Sequence, residues 1–561
     1  MPRSIILAWG GISGSDIVHA EFGKRVEHLP YLNAAASTSP RERRGPHMYC
    51  ARPKAIVMPF WRWQLRARRL EAESSESLNP AFKTDTVQHG SSRKPLCSSA
   101  ATILASAALL LWPALFNGYP LVFSDSGTYI SQAVQRYLGW DRPVFYSLFL
   151  LTLHMKLTTW PVVIVQSLCA AGMLHFVHRS LFGSRSPPWL LVPLTLSLSV
   201  ATALPWFTTK LMPDLYTGLL LLAYALLIFV PERLAHWDRL LLMLAASAMI
   251  GLHQSNLPLA LGLLFVIVPF RQRLGAESCL GIGGLARLVA APALAALALI
   301  SMNLVGHGRV SVSPFGNVFI LARVIYDGPG MRTLERECSD QGWRLCDYLG
   351  HFPPNSDGFL WDSDSPLAKA GGAKIISDEA NSIVIASLQA EPWAELRAFV
   401  GNTLQQLAQF ATGDGLGAWP ATVTPWIERD FPSFEAKAYS MSRQTRGRLA
   451  VPEWMERLHA GFALAGIAGT LIVVLVRRRR DLATGLCAVV LAGLLGNAMI
   501  TGGLSAPHDR YQSRVMWLPP FLMMLVVPPY ALRRWASIVK RLAREREGPA
   551  YRISYADLRA A

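Results

Sequence analysis

Charged residues are scarce in this chain of 561 residues: they make up 16% of it, whereas hydrophobic residues make up 52%. Soluble globular proteins carry about 25% charged residues, so the deficit argues against a soluble protein. Cysteine is also sparse. Its seven copies form neither a Cys-x-x-Cys pair nor a Cys/His cluster at zinc spacing, so a structural metal is not expected. Walker A, GxSxG and HExxH motifs are missing as well, which leaves ATP-driven transport and the common hydrolase and zincin reactions without support.

Long apolar runs are what the sequence has instead. A helix needs about 20 apolar residues to cross the hydrocarbon of a bilayer, and ten runs come close to that length. They are 99–117, 160–178, 188–205, 214–230, 239–253, 255–270, 286–305, 459–476, 482–501 and 515–531, the adjacent pair 239–253 and 255–270 being the shortest. The sequence therefore predicts an all-α polytopic membrane protein with about ten transmembrane helices.

The orientation follows from the short loops. The run 143–155 is apolar but too short to cross, and we expect it to form an interfacial or re-entrant helix in the first outer loop. If it does not cross, every second short loop is basic, which is the usual mark of the cytoplasmic side. These basic loops are 178–185, 231–239, 271–273 and 477–480.

The predicted crossings divide the chain into five parts. They are a basic cytoplasmic region at 1–98, helices 1–7 with the first outer loop 118–159 at 99–305, a small extracytoplasmic domain at 306–458, helices 8–10 at 459–531 and a basic cytoplasmic tail at 532–561. We expect the first part to be disordered, or to precede a true start of the protein near residue 90.

The net charge of +17 lies largely at the two ends. Residues 1–98 contain 15 Lys/Arg against 8 Asp/Glu, and 531–561 contain 8 against 3. Basic segments beside membrane spans meet anionic lipid, so membrane lipids are the expected partners and nucleic acid is not. The expected location is a bacterial inner (cytoplasmic) membrane; the oligomeric state is left open.

The outer domain 306–458 has a mild acidic excess, with 14 Lys/Arg and 18 Asp/Glu. Cys338 and Cys346 are close in sequence and off the membrane, so a disulfide between them fits an extracytoplasmic location. The stretch 391–410 has the apolar spacing of a helix that lies on the membrane or on the helix bundle.

Ionisable residues gather at the predicted outer ends of the spans. Such groups are costly at membrane depth and are functional candidates, although each one alone has a bland explanation as an interfacial anchor or a helix cap. The candidates are Asp125, Arg142, Lys210, Asp214, His253, His508 and Arg510.

Two of these candidates are carboxylates with alternative roles. Asp125, in "FSDSGTYI", is the candidate catalytic base; alternatively, Ser124 and Asp125 cap a helix over about 127–138. Asp214 begins a span four residues after Lys210, where a helix-dipole or ion-pair role competes with function.

Cationic candidates precede the last span in "SAPHDRYQSRVMW". A phosphate or pyrophosphate suits such a group, because arginine offers a fork of donors and histidine adds another. An interfacial anchor is the alternative.

These stretches resemble those of the GT-C superfamily of integral-membrane glycosyltransferases, which use polyprenyl-phosphate-linked sugars. The resemblance rests on a first span followed by an outer loop with an early acid, in "SDSGTY", and on "DRPVFYSLFLLTLHMKL", where an Arg-Pro opens a short apolar segment. Members such as protein O-mannosyltransferases and lipid A aminoarabinose transferases have a similar segment that lies along the membrane.

The resemblance implies transfer of a sugar from a lipid-linked donor to an acceptor on the extracytoplasmic face. It implies that Asp125 activates the acceptor or organises the site. It also implies that basic residues of the outer loops bind the lipid phosphate, with Arg142, Lys210, His508 and Arg510 as the candidates. Ser126 follows Asp125 where many members have a second carboxylate, and this departure counts against a two-carboxylate or metal-assisted scheme. A divalent metal is the one cofactor left open, and no other is expected. The rival hypotheses are a transporter or flippase for a lipid-linked or anionic solute, and a scaffold whose outer domain binds a partner.

Overall fold

The computed structural model describes residues 94–183, 186–231, 233–276, 278–477 and 480–528. The predictions for most of the N-terminal region and for the C-terminal tail lie outside these residues. The described part of the chain is all-helical, with no β-strand; its one isolated bridge joins Leu121 and Lys210. The predicted all-α class is therefore confirmed.

The helices of the first half follow one another with short connections. They are α1 Lys94–Leu109, α2 Trp112–Asn117, α3 Ser124–Gln135, α4 Val144–His154, α5 Trp160–Phe182, α6 Leu191–Ala201, α7 Leu204–Thr208, α8 Leu215–Phe229, α9 His236–Leu252, α10 Asn256–Ile267 and α11 Ile282–His307. Short 3-10 turns at Pro188–Leu190 and Val268–Phe270 extend α6 and α10.

The second half contains the outer domain and the last apolar helices. They are α12 Gly316–Tyr326, α13 Pro329–Gln341, α14 Ser356–Trp361, α15 Pro366–Lys369, α16 Ala373–Ala390, α17 Pro392–Ala408, α18 Thr424–Asp430, α19 Ser433–Met441, α20 Glu453–Val476, α21 Leu482–Ala498 and α22 Asp509–Ser513. A π-helical turn at Met499–Gly503 extends α21, a 3-10 turn lies at Arg344–Tyr348, and residues 518–528 are helical.

Five of the described helices are long and apolar enough to cross a membrane. They are Ser98–Asn117, which combines most of α1 with α2, Trp160–Phe182, Ile282–His307, Glu453–Val476, and Leu482–Gly503, which combines α21 with its π-helical turn. Each overlaps one of the ten predicted spans. The chain is thus a multi-pass membrane protein by length and composition, and the other five crossings stay a prediction. The helices at three of these, Pro188–Ala201, Leu215–Phe229 and Asn256–Phe270, are apolar but shorter.

The helix α8 lies at the centre of the bundle. All fifteen of its residues are buried, as expected for a helix that is hydrophobic on every face. Small residues let its neighbour α21 approach: a Cβ on Gly493 would lie 2.6 Å from the Leu221 side chain. The central place of α8 puts Asp214, which precedes its first residue, in the interior at one end of the bundle.

The short run 143–155 forms the eleven-residue helix α4, which is apolar but shorter than the five long helices. At about 1.5 Å per residue it is about 16 Å long, roughly half the hydrocarbon thickness. The expectation that this segment is too short to cross agrees with that length.

The outer domain has a hydrophobic core of its own, built from α12, α13, α14 and α16 around Leu321, Phe359 and Ile376. Cys338 and Cys346 form a disulfide, as the sequence suggested. The predicted helix at 391–410 is present as α17, whose Glu395 carboxylate pairs with Arg323.

The last part of the domain holds the first outer loop in place. The Glu435 carboxylate accepts hydrogen bonds from the Tyr119 hydroxyl and from the Thr159 backbone N–H, both at 2.8 Å. The Gln444 amide bonds both the N–H and the carbonyl of Val122. These contacts position the start of α3, and with it Asp125.

Candidate functional site

A cavity of about 790 Å³ lies where the first outer loop, the outer domain and the segment before the last helix meet. Carboxylates, cationic groups and aromatic rings line it together. They include Phe123, Asp125, Asp141, Arg142, Arg323, Asp357, Trp361, Asp414, Trp419, Trp426, His508, Arg510 and Tyr511. Four of the seven predicted site residues are in this lining.

Asp125 lies in the first turn of α3, which begins at Ser124. The helix-capping alternative is wrong, because Phe123 occupies the N-cap and its N–H donates to the Ser126 hydroxyl at 2.9 Å. That hydroxyl in turn donates to the Leu211 carbonyl. The Asp125 carboxylate is consequently left for tertiary contacts.

Arg142 is the closest cationic partner of Asp125. One carboxylate oxygen of Asp125 accepts from Nη2 of Arg142 at 2.8 Å and from Nε at 3.1 Å. The Asp141 carboxylate lies 3.9 Å from the same Nε, and burial raises the pKa of the Asp141 carboxyl although Arg142 opposes the effect. A second carboxylate that binds protons readily therefore lies beside the first.

Arg510 reaches Asp125 from the opposite wall. Its Nη1 is 3.6 Å from the Asp125 carboxylate and has no hydrogen-bond partner, although the atom is buried. Its guanidinium carbon lies 3.9 Å from the centre of the Phe123 ring. The Asp414 carboxylate accepts the Arg510 backbone N–H at 2.9 Å and so fixes the start of α22. An orphaned cationic donor thus points to the carboxylate that is the candidate base.

Asp214 and His253 lie behind the cavity. The Asp214 carboxylate pairs with Arg514 at 3.1 Å and with Arg510 at 4.0 Å. Nε2 of His253 is 3.4 Å from Nη1 of Arg514, while its Nδ1 lies 2.8 Å from the Ser255 hydroxyl. Both predicted residues therefore support Arg510 and Arg514 instead of lining the cavity.

Lys210 is also buried behind the cavity wall. Its ammonium lies 5.7 Å from the centre of the Phe123 ring and 3.4 Å from the Asp414 carbonyl oxygen. Burial lowers its pKa to about 8. The ion pair with Asp214 that the sequence suggested is not formed as a direct contact; the carboxylate is taken by the two arginines.

His508 faces the outer domain across the cavity. Its Nε2 is 3.6 Å from the carboxylate of Asp357 in α14, and this contact lowers the pKa of the Asp357 carboxyl. Both side chains are partly exposed. The pair links the segment before the last helix to the helix that carries Trp361.

Aromatic rings form the remaining walls. Trp361 lies 5.4 Å from the Arg142 guanidinium and stacks at a tilt on Trp140 at 5.6 Å. On the other side, Trp419 lies 5.3 Å from Phe123. Aromatic side chains with a few placed polar groups are typical of small-molecule sites, and their faces suit the apolar faces of a ring.

Arg514 belongs to the cationic group that the sequence predicts before the last span, but it is not one of the seven candidates. It is fully buried, and besides Asp214 and His253 it donates to the Ser255 hydroxyl at 2.9 Å and to the Asn497 side-chain oxygen at 2.8 Å. An arginine at the edge of an apolar run was the available signal. The lining residues Asp357 and Asp414 have no sequence signal, because they are distant in the chain and lie in no motif.

The charges of the site compensate one another. The ion pairs run from Asp141 through Arg142, Asp125 and Arg510 to Asp214, so carboxylates and guanidinium groups alternate. The cationic group predicted at 508–514 therefore has carboxylates beside it, because Arg510 faces Asp125 and both Arg510 and Arg514 contact Asp214. The arrangement offers a carboxylate between two cationic groups, one of which has an unused donor.

No family model matches the chain, and no curated protein or solved structure is significantly similar to it. The fold and the apolar helices define the class, a multi-pass helical membrane protein. Across the residues that the structure describes, no group of three His, Cys, Asp or Glu side chains is arranged to hold a metal ion. Asp125 and Asp141 face the Arg142 guanidinium, whose positive charge opposes a metal cation at that point, so these two carboxylates do not fit a metal.

Proposed function

We propose that this protein is an integral-membrane glycosyltransferase of the polyprenyl-phosphate-dependent kind, acting on the extracytoplasmic face. The observation that supports this best is the position of Asp125 in the cavity, bonded to Arg142 and 3.6 Å from Arg510. A base and two phosphate-binding groups are what such a transfer needs at one place.

The proposed reaction is a single displacement at the sugar. The acceptor hydroxyl transfers its proton to the Asp125 carboxylate while its oxygen forms a bond to the anomeric carbon. The bond from that carbon to the phosphate oxygen breaks, and the phosphate keeps the electron pair. Because the phosphate leaves as an anion beside Arg142 and Arg510, no general acid is required.

A second, apolar cavity suits the lipid part of the donor. It has a volume of about 780 Å³ and lies among α4, α5, α8, α9 and α11. Phe145 and Phe149 of α4 line it, and α4 begins two residues after Arg142. At the same end it reaches Leu252, the neighbour of His253. A polyprenyl chain lying there would leave its phosphate at the charged end of the bundle.

The ten-crossing topology in a bacterial inner membrane is part of this proposal. The backbone N–H groups of Leu121 and Leu211 bond the carbonyls of Thr209 and Leu121, both at 2.8 Å, so segment 206–214 lies beside the first outer loop. The helix α5 leads the chain away from that loop, so α6 and α7 have to return the chain to the same end of the bundle. By the same reasoning α9 ends there, because His253, which follows α9, contacts Arg514.

Replacement of Asp125 tests the chemistry. We expect Asp125→Asn to lower sugar transfer by about a hundredfold or more, because general acid–base catalysis contributes roughly 10²–10⁴. The measurement is transfer of radiolabelled sugar from polyprenyl phosphate to acceptors in membranes that contain the protein, with and without a chelator, so that a need for a divalent metal is measured in the same assay.

The matched control is Asp378→Asn, in the outer domain, whose carboxylate is largely exposed and pairs only with Arg309 in the described contacts. It should leave the rate unchanged. Wild-type activity in an Asp125→Asn protein that is inserted normally would contradict the catalytic assignment.

A transporter or flippase for a lipid-linked or anionic solute is the second candidate. The observation that favours it is the mutual compensation of the site charges, which suits reversible binding as well as chemistry. In sealed vesicles a transporter moves the labelled sugar lipid across the bilayer with its sugar–phosphate bond intact. A transferase instead yields free polyprenyl phosphate and a labelled acceptor.

A further inference from the structure

A third cavity lies at the far end of α9 from the candidate site. It has a volume of about 400 Å³ and is formed where α8 ends and where α9 and α11 begin. Its wall is apolar, with Leu227, Leu240, Met243 and Leu288 among the lining side chains. The α9 residue of the lining that is nearest to His253 is Met243, so about ten residues, or roughly 15 Å of helix, separate this cavity from His253. It is therefore a separate feature of the molecule.

Two arginines lie in the lining of this cavity. Arg239 belongs to α9 and Arg287 to α11, so their guanidinium groups come from two different helices. Nε of Arg239 is buried without a hydrogen-bond partner, and Nε of Arg287 donates only to the Gly283 carbonyl of its own helix. Within the residues that the structure describes, neither guanidinium pairs with a carboxylate. Both keep donors available for an anion.

The cavity has the features of a membrane interface. Trp237 lines it and is 79% exposed, which is typical of an aromatic side chain at the boundary between lipid and water. His236 adds an imidazole to the same wall. These residues open α9 and lie in the basic segment 231–239, which the charge pattern predicts to be cytoplasmic. The inner leaflet there is rich in anionic lipid.

We propose that this cavity binds one anionic glycerophospholipid of the cytoplasmic leaflet. Its phosphate diester lies between Arg239 and Arg287, and one acyl chain lies along the apolar wall. Basic pockets between transmembrane helices on the cytoplasmic side bind anionic headgroups in this way. The site shares only the membrane orientation with the proposed transferase, so either can fail without the other.

Lipid binding to the full-length protein tests the proposal. The protein is reconstituted in nanodiscs of phosphatidylcholine with or without phosphatidylglycerol, and retained lipid is counted by native mass spectrometry. We expect one retained phosphatidylglycerol and a higher Tm in its presence. The double variant Arg239→Gln/Arg287→Gln should lower this retention about tenfold, because each lost charge-assisted hydrogen bond weakens binding.

Charge-matched and shape-matched variants distinguish the site from general attraction. Arg336→Gln/Arg457→Gln removes two exposed arginines elsewhere and should retain the lipid. Gly284→Leu keeps both arginines but fills the cavity, so this variant should lose the lipid. It also tests the proposal if the double arginine variant does not fold. Equal retention of phosphatidylcholine, or an equal Tm shift from millimolar inorganic phosphate, would overturn the proposal.

Discussion

Arg514 holds the candidate site together from behind. A fully buried guanidinium is expensive to desolvate, and it is tolerated only when most of its donors are satisfied. Asp214, His253, Ser255 and Asn497 supply those partners from three segments of the chain. Asp214 then reaches on to Arg510 in the cavity. The position of Arg510 beside Asp125 thus depends on residues that never reach the cavity.

Lys210 makes the site sensitive to pH. Burial lowers its pKa to about 8, so it is a cation below that pH and neutral above it. The cation lies beside the Phe123 wall, and in the proposed transferase it would add to the potential that attracts the donor phosphate. We therefore expect donor KM to rise roughly fivefold as the pH passes upward through about 8, an effect of about 1 kcal/mol.

Substitutions of the same lysine provide the control. Lys210→Met should have the high KM at every pH, and Lys210→Arg should keep the low KM beyond pH 9. The free energy of unfolding should rise with pH between about 8 and 10.4, whereas donor binding weakens. The reason is that Lys210 has lost its proton in the folded protein over this range but keeps it in the unfolded chain. A KM profile that is unchanged in Lys210→Met would contradict a role of this charge in donor binding.

The helix α3 depends on a close contact at Gly127. A Cβ at this position would lie 1.8 Å from the Thr422 carbonyl oxygen and 2.8 Å from the Trp426 ring. Thr422 and Trp426 both line the cavity. The glycine in "SDSGTY" therefore allows the segment before α18 to lie directly on α3, two residues from Asp125.

Gly127→Ala tests this contact. The added methyl group has to displace the segment at Thr422, and overpacking of this kind costs about 1–3 kcal/mol. We expect a lower Tm together with a higher KM, because the cavity wall moves. Gly401→Ala, at a helical glycine with open space around its Cβ position, is the matched control. It should leave KM unchanged and should keep or slightly raise Tm, because alanine favours a helix over glycine. An unchanged KM in Gly127→Ala would show that the wall does not contact the substrate.

The whole molecule brings together segments that are far apart in the chain. The first outer loop, the segment before α8, the turn after α9 and the segment before the last helix meet at one end of the bundle. The charge pattern of the short loops predicted this common end, and the contacts between these residues agree with it. Their functional roles stay proposals.

The topology can be tested at residue 212. With ten crossings the segment 206–213 is outside, whereas the five long helices alone would leave it inside. A phosphatase fused after Met212 should therefore be active, and one fused after Arg271 should be inactive. A fluorescent protein at the same two positions should show the reverse pattern. Fluorescence after Met212 would exclude the third crossing.

Apolar run length and loop charge by themselves determined that this chain is helical, multi-pass and oriented with Asp125 and His508 at a common end. These properties depend on local composition: the length of each apolar run relative to the thickness of a bilayer, and the number of basic residues in each short loop. Which polar side chains touch was decided only by tertiary structure. Asp214 pairs with Arg514 instead of the nearby Lys210, and Asp357 enters the cavity from a distant domain, because helix packing brings them within a few ångströms. Sequence spacing carries no information about such distances.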